Sequence, residues 1–519
     1  MTKNKPFVKR FIFREEFWYL LLTIYFYFSN LIFVYRKASG LLNSDSSGEM
    51  ILAAHLNKVG GFLSKEWCYS SELRVLNTQI VYKFSLLFFP NNWHMARVMS
   101  IGIFMLILIA VGWYFMWAAG VKKKGLLFSA ILICPLGQWY AWNVIYNSFY
   151  VPHIAISLLS IALLLHVLKT KKKIAGIILT ACLLILAFGA GLGGIRQILV
   201  CYAPLLLTCF ILFLVNVKEK EKWKMLFLSV GVFVCGTAGY LINARILSGI
   251  YIFEDYNETI WNDFTLPVIW TALEQLIRLF GWEPNTKVIS LSGIGNFVCI
   301  AIVLGMIICF VICFKKIKSL KDEQRIPIVF SLSGFLFLLL VFAETWVYNE
   351  SYWIPAVPFF FIPVLFVLDY EIPKKRKEIL IAALALGLII CGGSAFKNYR
   401  IGGVPNDETI HNVSTWLKNQ DEYKQGIAMF WNAPVVTEKT DGKIEMWTVE
   451  DYTALQPCEW LQVKSHMTLP KGKVFVLIPD VMANDGTERC EALKKYIIYD
   501  DGNYIVYGFN HYTEYFTVE

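Results

Sequence analysis

The chain has 519 residues, of which 57% are hydrophobic, 16% aromatic and only 17% charged. That balance is too apolar for an ordinary soluble domain, and it excludes a disordered chain. The net charge of +9 sits in short clusters between apolar runs, which is a membrane-topology signal, so no nucleic-acid partner is expected.

Apolar runs long enough to cross roughly 30 Å of hydrocarbon, about 17 to 25 residues each, recur at 17–35, 97–119, 125–142, 149–168, 174–191, 196–215, 225–249, 291–314, 326–347, 352–369 and 378–396. They predict an α-helical polytopic membrane protein with about eleven transmembrane helices. The first run is too long for the apolar core of a signal peptide, and no small-residue cleavage site follows it. The N-terminal arm (Lys3, Lys5, Lys9, Arg10, Arg14) is basic. So are "KKK" at 122–124, "KTKKK" at 169–173, "KEKEKWK" at 218–224, "KKIKSLKDEQR" at 315–325 and "KKRK" at 374–377. The loops between them are poor in Lys and Arg. Cytoplasmic loops carry this excess, so the N terminus is read as inside a cell membrane and everything after about residue 397 as outside.

Two outer loops, 36–96 and 250–290, exceed what connection requires, and long loops in compact proteins are usually functional. The first opens with "LLNSDSSGEMILAAHL" at 41–56. Asp45 and Glu49 are four apart and share a face if this stretch is helical. Such a pair suits a general base, a metal pair, or a plain helix start capped by Ser44 or Asp45. Its place at the mouth of a bundle favours the functional reading. Residues 49–59 read as a short helix and 72–89 as a membrane-surface helix, because a full crossing there would break the charge alternation.

Between these helices, "WCYSSELRVLNTQ" mixes Trp67 and Tyr69 with Glu72, Arg74, Asn77 and Gln79. Amides and carboxylates bind sugar hydroxyls while flat rings stack on sugar C–H faces; an interfacial aromatic belt is the duller reading. "GQWYAWNVIYNSFYVPH" at 137–153 adds Asn143, Tyr146, Asn147, Tyr150 and His153, the last either a phosphate contact or a packed histidine.

"GAGLGGIRQ" at 189–197 places four glycines and Arg196 at the outer face. Successive backbone N–H groups with a guanidinium can hold phosphate; the alternative is close helix packing through small residues. Packing does not account for an arginine on the side where positive charge is otherwise avoided. Arg245 and Arg278 are weaker candidates for the same anion. A surface helix is expected at 266–280, and "ETWVYNESYW" at 344–353 offers Glu344, Tyr348 and Glu350 to a sugar.

From Gly402 the pattern becomes soluble. "DETIHNVSTWLKNQ" reads as a helix opened by Asp407, "KVFVLIPD" as a buried strand, and "YIIYDDGNYIVYGF" as a hairpin turned at Asp501 and Gly502. The chain thus divides into a transmembrane domain, 1–397, and a small extracytoplasmic α/β domain, 398–519, a lid or acceptor-binding module without a catalytic motif. The cysteines show no metal spacing.

The topology, the acid soon after the first span, the two helices in that outer loop and the exported α/β tail together resemble the GT-C glycosyltransferases. The likeness is to the protein mannosyltransferases and the lipid A aminoarabinose transferases. "SDSSGEM", "WCYSSELRVLNTQ" and "YVPHIAIS" are also similar to strings in Gram-positive membrane proteins of this kind. Family members often carry adjacent acids in this loop, whereas here serines follow Asp45 and the next acid is Glu49. No cofactor is assigned, and participation of a divalent metal stays open.

The resemblance implies a polyprenyl-phosphate sugar as donor and a cell-wall polymer, lipid-linked glycan or protein as acceptor. It makes Asp45 the base with Glu49 as helper. The phosphate would fall to Arg196, assisted by Arg74, His153 or Arg245, and the sugar or acceptor to Trp67, Tyr69, Glu72, Asn77, Asn147 and Tyr150. A transporter or flippase for a lipid-linked glycan needs similar groups, but predicts internal repeats and charges at mid-membrane, neither of which is apparent. A polymerase or ligase with a diphosphate-linked donor shares all these parts.

Overall fold

Ten helices among the described residues are long and apolar enough to cross a membrane. They come from a computed structural model that describes residues 15–37, 40–71, 73–215, 217–253, 265–344, 349–370, 372–401, 408–483 and 488–518. In chain order the elements before the C-terminal domain begin with α1 (Glu15–Lys37), α2 (Ser44–Val59), β1 (Trp67–Cys68), α3 (Gln79–Phe88) and α4 (Trp93–Ala118). They continue through α5 (Gly125–Leu132), α6 (Val151–Lys169), α7 (Lys173–Gly191), α8 (Ala203–Val215), α9 (Lys220–Arg245), α10 (Leu266–Leu279), α11 (Leu291–Lys315), α12 (Asp322–Glu344), a mixed helical segment α13 (Glu350–Tyr370) and α14 (Lys374–Ile401).

The expected span at 125–142 is not one continuous helix. α5 stops at Leu132, Pro135 and Gly137 interrupt it, and a π-helical turn, Ala141–Tyr146, follows. Proline removes a donor and clashes with the preceding turn, and broken backbone survives at membrane depth only inside protein. This segment is almost wholly buried, from Leu127 at 0% exposed to Tyr146 at 2%. It still makes the full crossing beside α1. Lys124 meets Glu15 at 2.6 Å at one end, Asn30 donates to the Ile133 carbonyl at 2.8 Å midway, and Phe33 stacks on Tyr146 at 4.9 Å. Glu15 to Phe33 is 18 residues, about 27 Å of helix.

The basic loops converge on the Glu15 end. Lys169 pairs with Glu323 at 3.3 Å, Lys222 with Asp322 at 2.6 Å, and Lys377 with Asp369 at 3.5 Å and Glu15 at 3.8 Å. One end of the bundle therefore collects the positive loops, and the first long loop lies at the other. In that loop the surface helix is shorter than expected. α3 spans ten residues, too few to cross a membrane, and is amphipathic, with Tyr82 and Leu86 buried and Phe84, Leu87 and Phe88 exposed.

The C-terminal domain holds α15 (Glu408–Asn419), β2 (Gln425–Met429), α16 (Ala433–Lys439), β3 (Glu445–Val449), β4 (Gln462–Val463), β5 (Val474–Pro479), β6 (Ile497–Asp500) and β7 (Tyr504–Phe509). Its five-stranded sheet runs β3-β2-β5-β7-β6, parallel across β3-β2-β5 and antiparallel after it. Gly502, at φ +75°, turns the β6–β7 hairpin, as Asp501-Gly502 predicts. β4 leaves this sheet to pair with β1 of the first long loop, Trp67 opposite Val463. The domain is thereby fastened to the same end of the bundle as that loop.

Candidate functional site

α2 begins one residue before Asp45, and the residue that caps it is Asn43. The Asn43 side chain accepts from the Ser46 N–H at 2.9 Å, and the Ser46 hydroxyl accepts from the Asn43 N–H at 3.2 Å, a reciprocal capping box. Neither Ser44 nor Asp45 serves as the cap, so the Asp45 carboxylate is left for other work. Burial pushes it above the ordinary aspartate range, while the positive charge of Arg74 pulls it part of the way back.

One turn later, Glu49 is held by the stretch that follows β1. Thr78 Oγ1 donates to Glu49 Oε2 at 2.6 Å and Asn77 Nδ2 to Oε1 at 3.4 Å. Burial also raises the Glu49 carboxyl, against the Thr78 hydrogen bond and the charges of Arg74 and Arg97. Both of its oxygens are engaged, whereas Asp45 has Arg74 as its charged neighbour. Among the described residues no three or more His, Cys, Asp or Glu side chains gather as a metal site.

Arg74 and Arg196 come from turns that Asn243 of α9 ties together. Its Nδ2 donates to the Leu73 carbonyl at 2.8 Å and to the Leu192 carbonyl at 2.6 Å. Gln79 Nε2 steadies the Arg74 carbonyl at 2.9 Å. Arg196 donates to the Tyr150 hydroxyl at 3.0 Å and lies over two rings, Tyr150 at 5.5 Å and Tyr352 at 4.9 Å. Cation–π contact of this kind holds a guanidinium plane in a fixed orientation. The His153 ring lies tilted against Tyr150 at 5.8 Å and its Nδ1 meets Gln197 Oε1 at 3.1 Å; Gln197 Nε2 in turn donates to Ser157 at 2.8 Å. Asp45, Glu49, Arg74, Asn77, Tyr150, His153 and Arg196 thus belong to linked turns at one end of the bundle. π-helical turns at Ala141–Tyr146 and Ile198–Tyr202 flank the Tyr150 and Arg196 segments, and such turns recur at functional sites.

A central residue of this region lies inside an expected span and carries no loop signature. Arg97, 2% exposed, forms two hydrogen bonds of 2.7 Å to Glu438 of α16, one of 2.9 Å to the Ser46 carbonyl and one of 3.2 Å to the Tyr82 hydroxyl. Tyr82 donates onward to the Asn147 carbonyl at 3.4 Å, which connects Asn147 to the floor under α2. Ser44 donates to the Phe430 carbonyl, and the Trp93 N–H donates to Asp441 at 2.8 Å. The C-terminal domain is clamped onto α2 by these contacts and is not a detached lid.

Several expected site residues are placed elsewhere. The glycines of 189–194 do not cradle an anion: the N–H groups of Leu192, Gly193 and Gly194 donate to the carbonyls of Phe188, Ala190 and Gly191. Gly191 instead packs α7 on α9, where an added Cβ would lie 2.0 Å from the Gly236 carbonyl. Trp67 and Tyr69 are buried in a second cluster beneath the C-terminal domain. The Tyr69 hydroxyl accepts from the Ser64 N–H at 2.9 Å, and burial pushes it up to about 12. Arg245 is exposed at the last turn of α9, and among the described residues no contact joins it to the cluster. Arg278 is neutralised by Glu274 at 2.7 Å and Glu350 at 3.2 Å, which removes both Arg278 and Glu350 as free contacts. Glu72 and Tyr348 fall outside the described residues, as does the side chain of Glu344.

The helical bundle with its clamped α/β domain is a fold shared with known structures. The likeness to known structures runs through nearly the whole chain. ArnT from Cupriavidus metallidurans in the apo state matches with a TM-score of 0.58 at 11% identity, covering 93% of this chain and 97% of that one. The same protein bound to undecaprenyl phosphate matches with a TM-score of 0.57 at 11% identity and the same coverage. An Archaeoglobus fulgidus oligosaccharyltransferase tethered to an acceptor peptide matches with a TM-score of 0.50 at 10% identity, covering 90% of this chain and 70% of that one. No protein-family model matches the chain, and no curated protein matches it in sequence.

Proposed function

We propose that this protein is a glycosyltransferase that moves a sugar from a polyprenyl-phosphate donor to an acceptor on the outer side of the membrane. The observation that carries the reading is Asp45, a part-buried carboxylate facing the charge of Arg74, whose turn Asn243 ties to the one that leads to Arg196. The positive loops at the opposite end of the bundle support an outer location for the site and the C-terminal domain. The ArnT structure bound to undecaprenyl phosphate supports a lipid phosphate as the donor's leaving group.

The reaction needs two complementary groups. Asp45 takes the proton of an acceptor hydroxyl as that oxygen bonds to the anomeric carbon. The bond from this carbon to the phosphate oxygen breaks from the opposite face, inverting the centre, and its electron pair leaves with the lipid phosphate. Arg74 and Arg196 stabilise that departing charge. Glu49, hydrogen-bonded to Thr78 and Asn77, fixes the end of the polar stretch that carries Arg74. An apolar groove of about 680 Å³, lined by residues such as Ile277, Met306, Phe335 and Phe360, suits the polyprenyl chain. At its rim Glu274 pairs with Arg278, which pairs with Glu350, two residues before the Tyr352 ring that faces Arg196.

The test is transfer of labelled sugar from a polyprenyl-phosphate donor by membranes carrying the wild-type or Asp45→Asn chain. Undiminished transfer in the variant removes Asp45 as the base. Movement of lipid-linked sugar across the membrane without a new glycosidic bond replaces the transferase with a flippase.

A further inference from the structure

A second polar cleft, of about 580 Å³, lies between α2, the α3–α4 turn and the C-terminal domain. Its α2 residues are Ile51, Ala54, His55, Asn57 and Lys58, which at 100° per residue centre roughly on the opposite side of the helix from Asp45 and Glu49. The cleft is therefore separate from the catalytic side. The β1–β4 pairing, Trp67 opposite Val463, brings Trp67 to the same wall as His466, three residues beyond Val463.

The chemistry of this wall points to a neutral, hydroxyl-rich ligand. Trp67 and His466 are 0% and 5% exposed, and among the described residues neither Trp67 Nε1 nor His466 Nδ1 has a hydrogen-bond partner. Buried polar atoms are rarely left unpaired, and a hydroxyl can serve both a donor and an acceptor. His466 stacks on Trp447 at 4.0 Å and its Nε2 meets Glu445 at 2.9 Å, which fixes the imidazole. Glu445 feels the charge of Lys58, and Asp441 is paired with Lys418 at 2.6 Å. With its charges balanced, the cleft has no bias toward an anion or a cation. The Trp93 ring completes a surface of flat apolar faces and dispersed polar groups, the combination that fits a sugar ring.

We infer that this cleft binds a saccharide unit of a neutral glycan and holds the acceptor chain behind α2 while its reactive end reaches Asp45. The acceptor role rests on the function proposed above; the saccharide site does not. The full chain in detergent is titrated calorimetrically with chitotetraose, cellotetraose and maltotetraose. At least one is expected to bind saturably. Trp67→Phe, which keeps a ring and removes the N–H, and Lys58→Ala at the exposed rim are each expected to weaken it about tenfold, the effect of a lost hydrogen bond of about 1.4 kcal/mol. Asp45→Asn is expected to bind as the wild type does.

Failure of all three oligosaccharides to bind, or equal binding by the wild type and both cleft variants, overturns the inference. Should Trp67→Phe lose its cooperative melting transition, Lys58→Ala decides alone. Binding without any sugar transfer by the wild type removes the transferase reading and leaves the saccharide site; transfer without oligosaccharide binding does the reverse.

Discussion

Arg97 and Glu438, 341 positions apart in sequence, meet through two hydrogen bonds of 2.7 Å at side-chain exposures of 2% and 3%. A planar guanidinium matched to a carboxylate is the strongest form of such contact, and here it joins a bundle helix to the C-terminal domain. Removing one partner of a buried pair leaves an uncompensated charge and typically costs about 3–5 kcal/mol. Glu438→Ala is therefore expected to lower the melting temperature and to open the interdomain region to limited proteolysis. The double variant Arg97→Met, Glu438→Met should recover much of that loss, since well-packed apolar replacements remove both charges together.

Asp45→Asn keeps the shape of the side chain and removes its basicity. Sugar transfer should fall by about 10²–10⁴ in kcat, the usual contribution of a general base, while binding of the lipid donor persists.

The pH dependence has a definite sign. Asp45 must be ionised to accept a proton, and burial raises its carboxyl, so kcat/KM should fall with falling pH on a limb displaced above the ordinary carboxylate range. Arg74→Gln removes the charge that lowers it, and should move that limb further up. The linkage to stability runs the other way: the folded chain binds these protons more tightly than the unfolded one, so the contribution of Asp45 and Glu49 to stability declines as pH rises through the same range. A limb that stays put in Arg74→Gln would separate Arg74 from Asp45.

Arg196 lies over the rings of Tyr150 and Tyr352, a geometry that suits a flat guanidinium and not an ammonium. Arg196→Lys should lower kcat/KM for the polyprenyl-phosphate donor on the order of 100-fold, comparable with loss of one transition-state donor. Lysine activity equal to wild type would show that charge alone suffices.

Gly191→Ala tests the glycine segment. The new Cβ would meet the Gly236 carbonyl at 2.0 Å, and overpacking of this kind costs about 1–3 kcal/mol. The expected result is a lower melting temperature, with donor affinity in the surviving folded fraction unchanged. A selective loss of donor binding at full stability would return the glycines to the phosphate site.

Much of the architecture was legible because its causes are local in sequence. Runs of about twenty apolar residues answer directly to hydrocarbon thickness, and the alternation of basic loops gave the parity that puts residues 36–96 and the C-terminal domain together. β4 pairing with β1 and Glu438 holding Arg97 bear this out. The break after Leu132 was announced by Pro135 and Gly137, but the apolar count over 125–142 hid it. Asn43, followed three residues later by Ser46, has the pattern of a cap as well, but Ser44 and Asp45 are the more conspicuous candidates beside it.

The functional groups divided differently. Asp45, Glu49, Arg74 and Arg196, the groups of the proposed site, stand out in the sequence because carboxylates and arginines beside a bundle are expensive against an apolar background. Sequence alone ranked Arg278 below Arg196 but did not show that Arg278 is paired with Glu274 and Glu350, since that pairing depends on a partner up to 72 positions away. Nor did it reveal Arg97, whose single charge at the edge of an apolar helix resembles an ordinary span end until Glu438 folds over it. Composition and periodicity fixed the membrane class and the order of the helices. Which charges pair with one another, and on which side of α2 each polar group lies, was decided only when distant segments packed against one another.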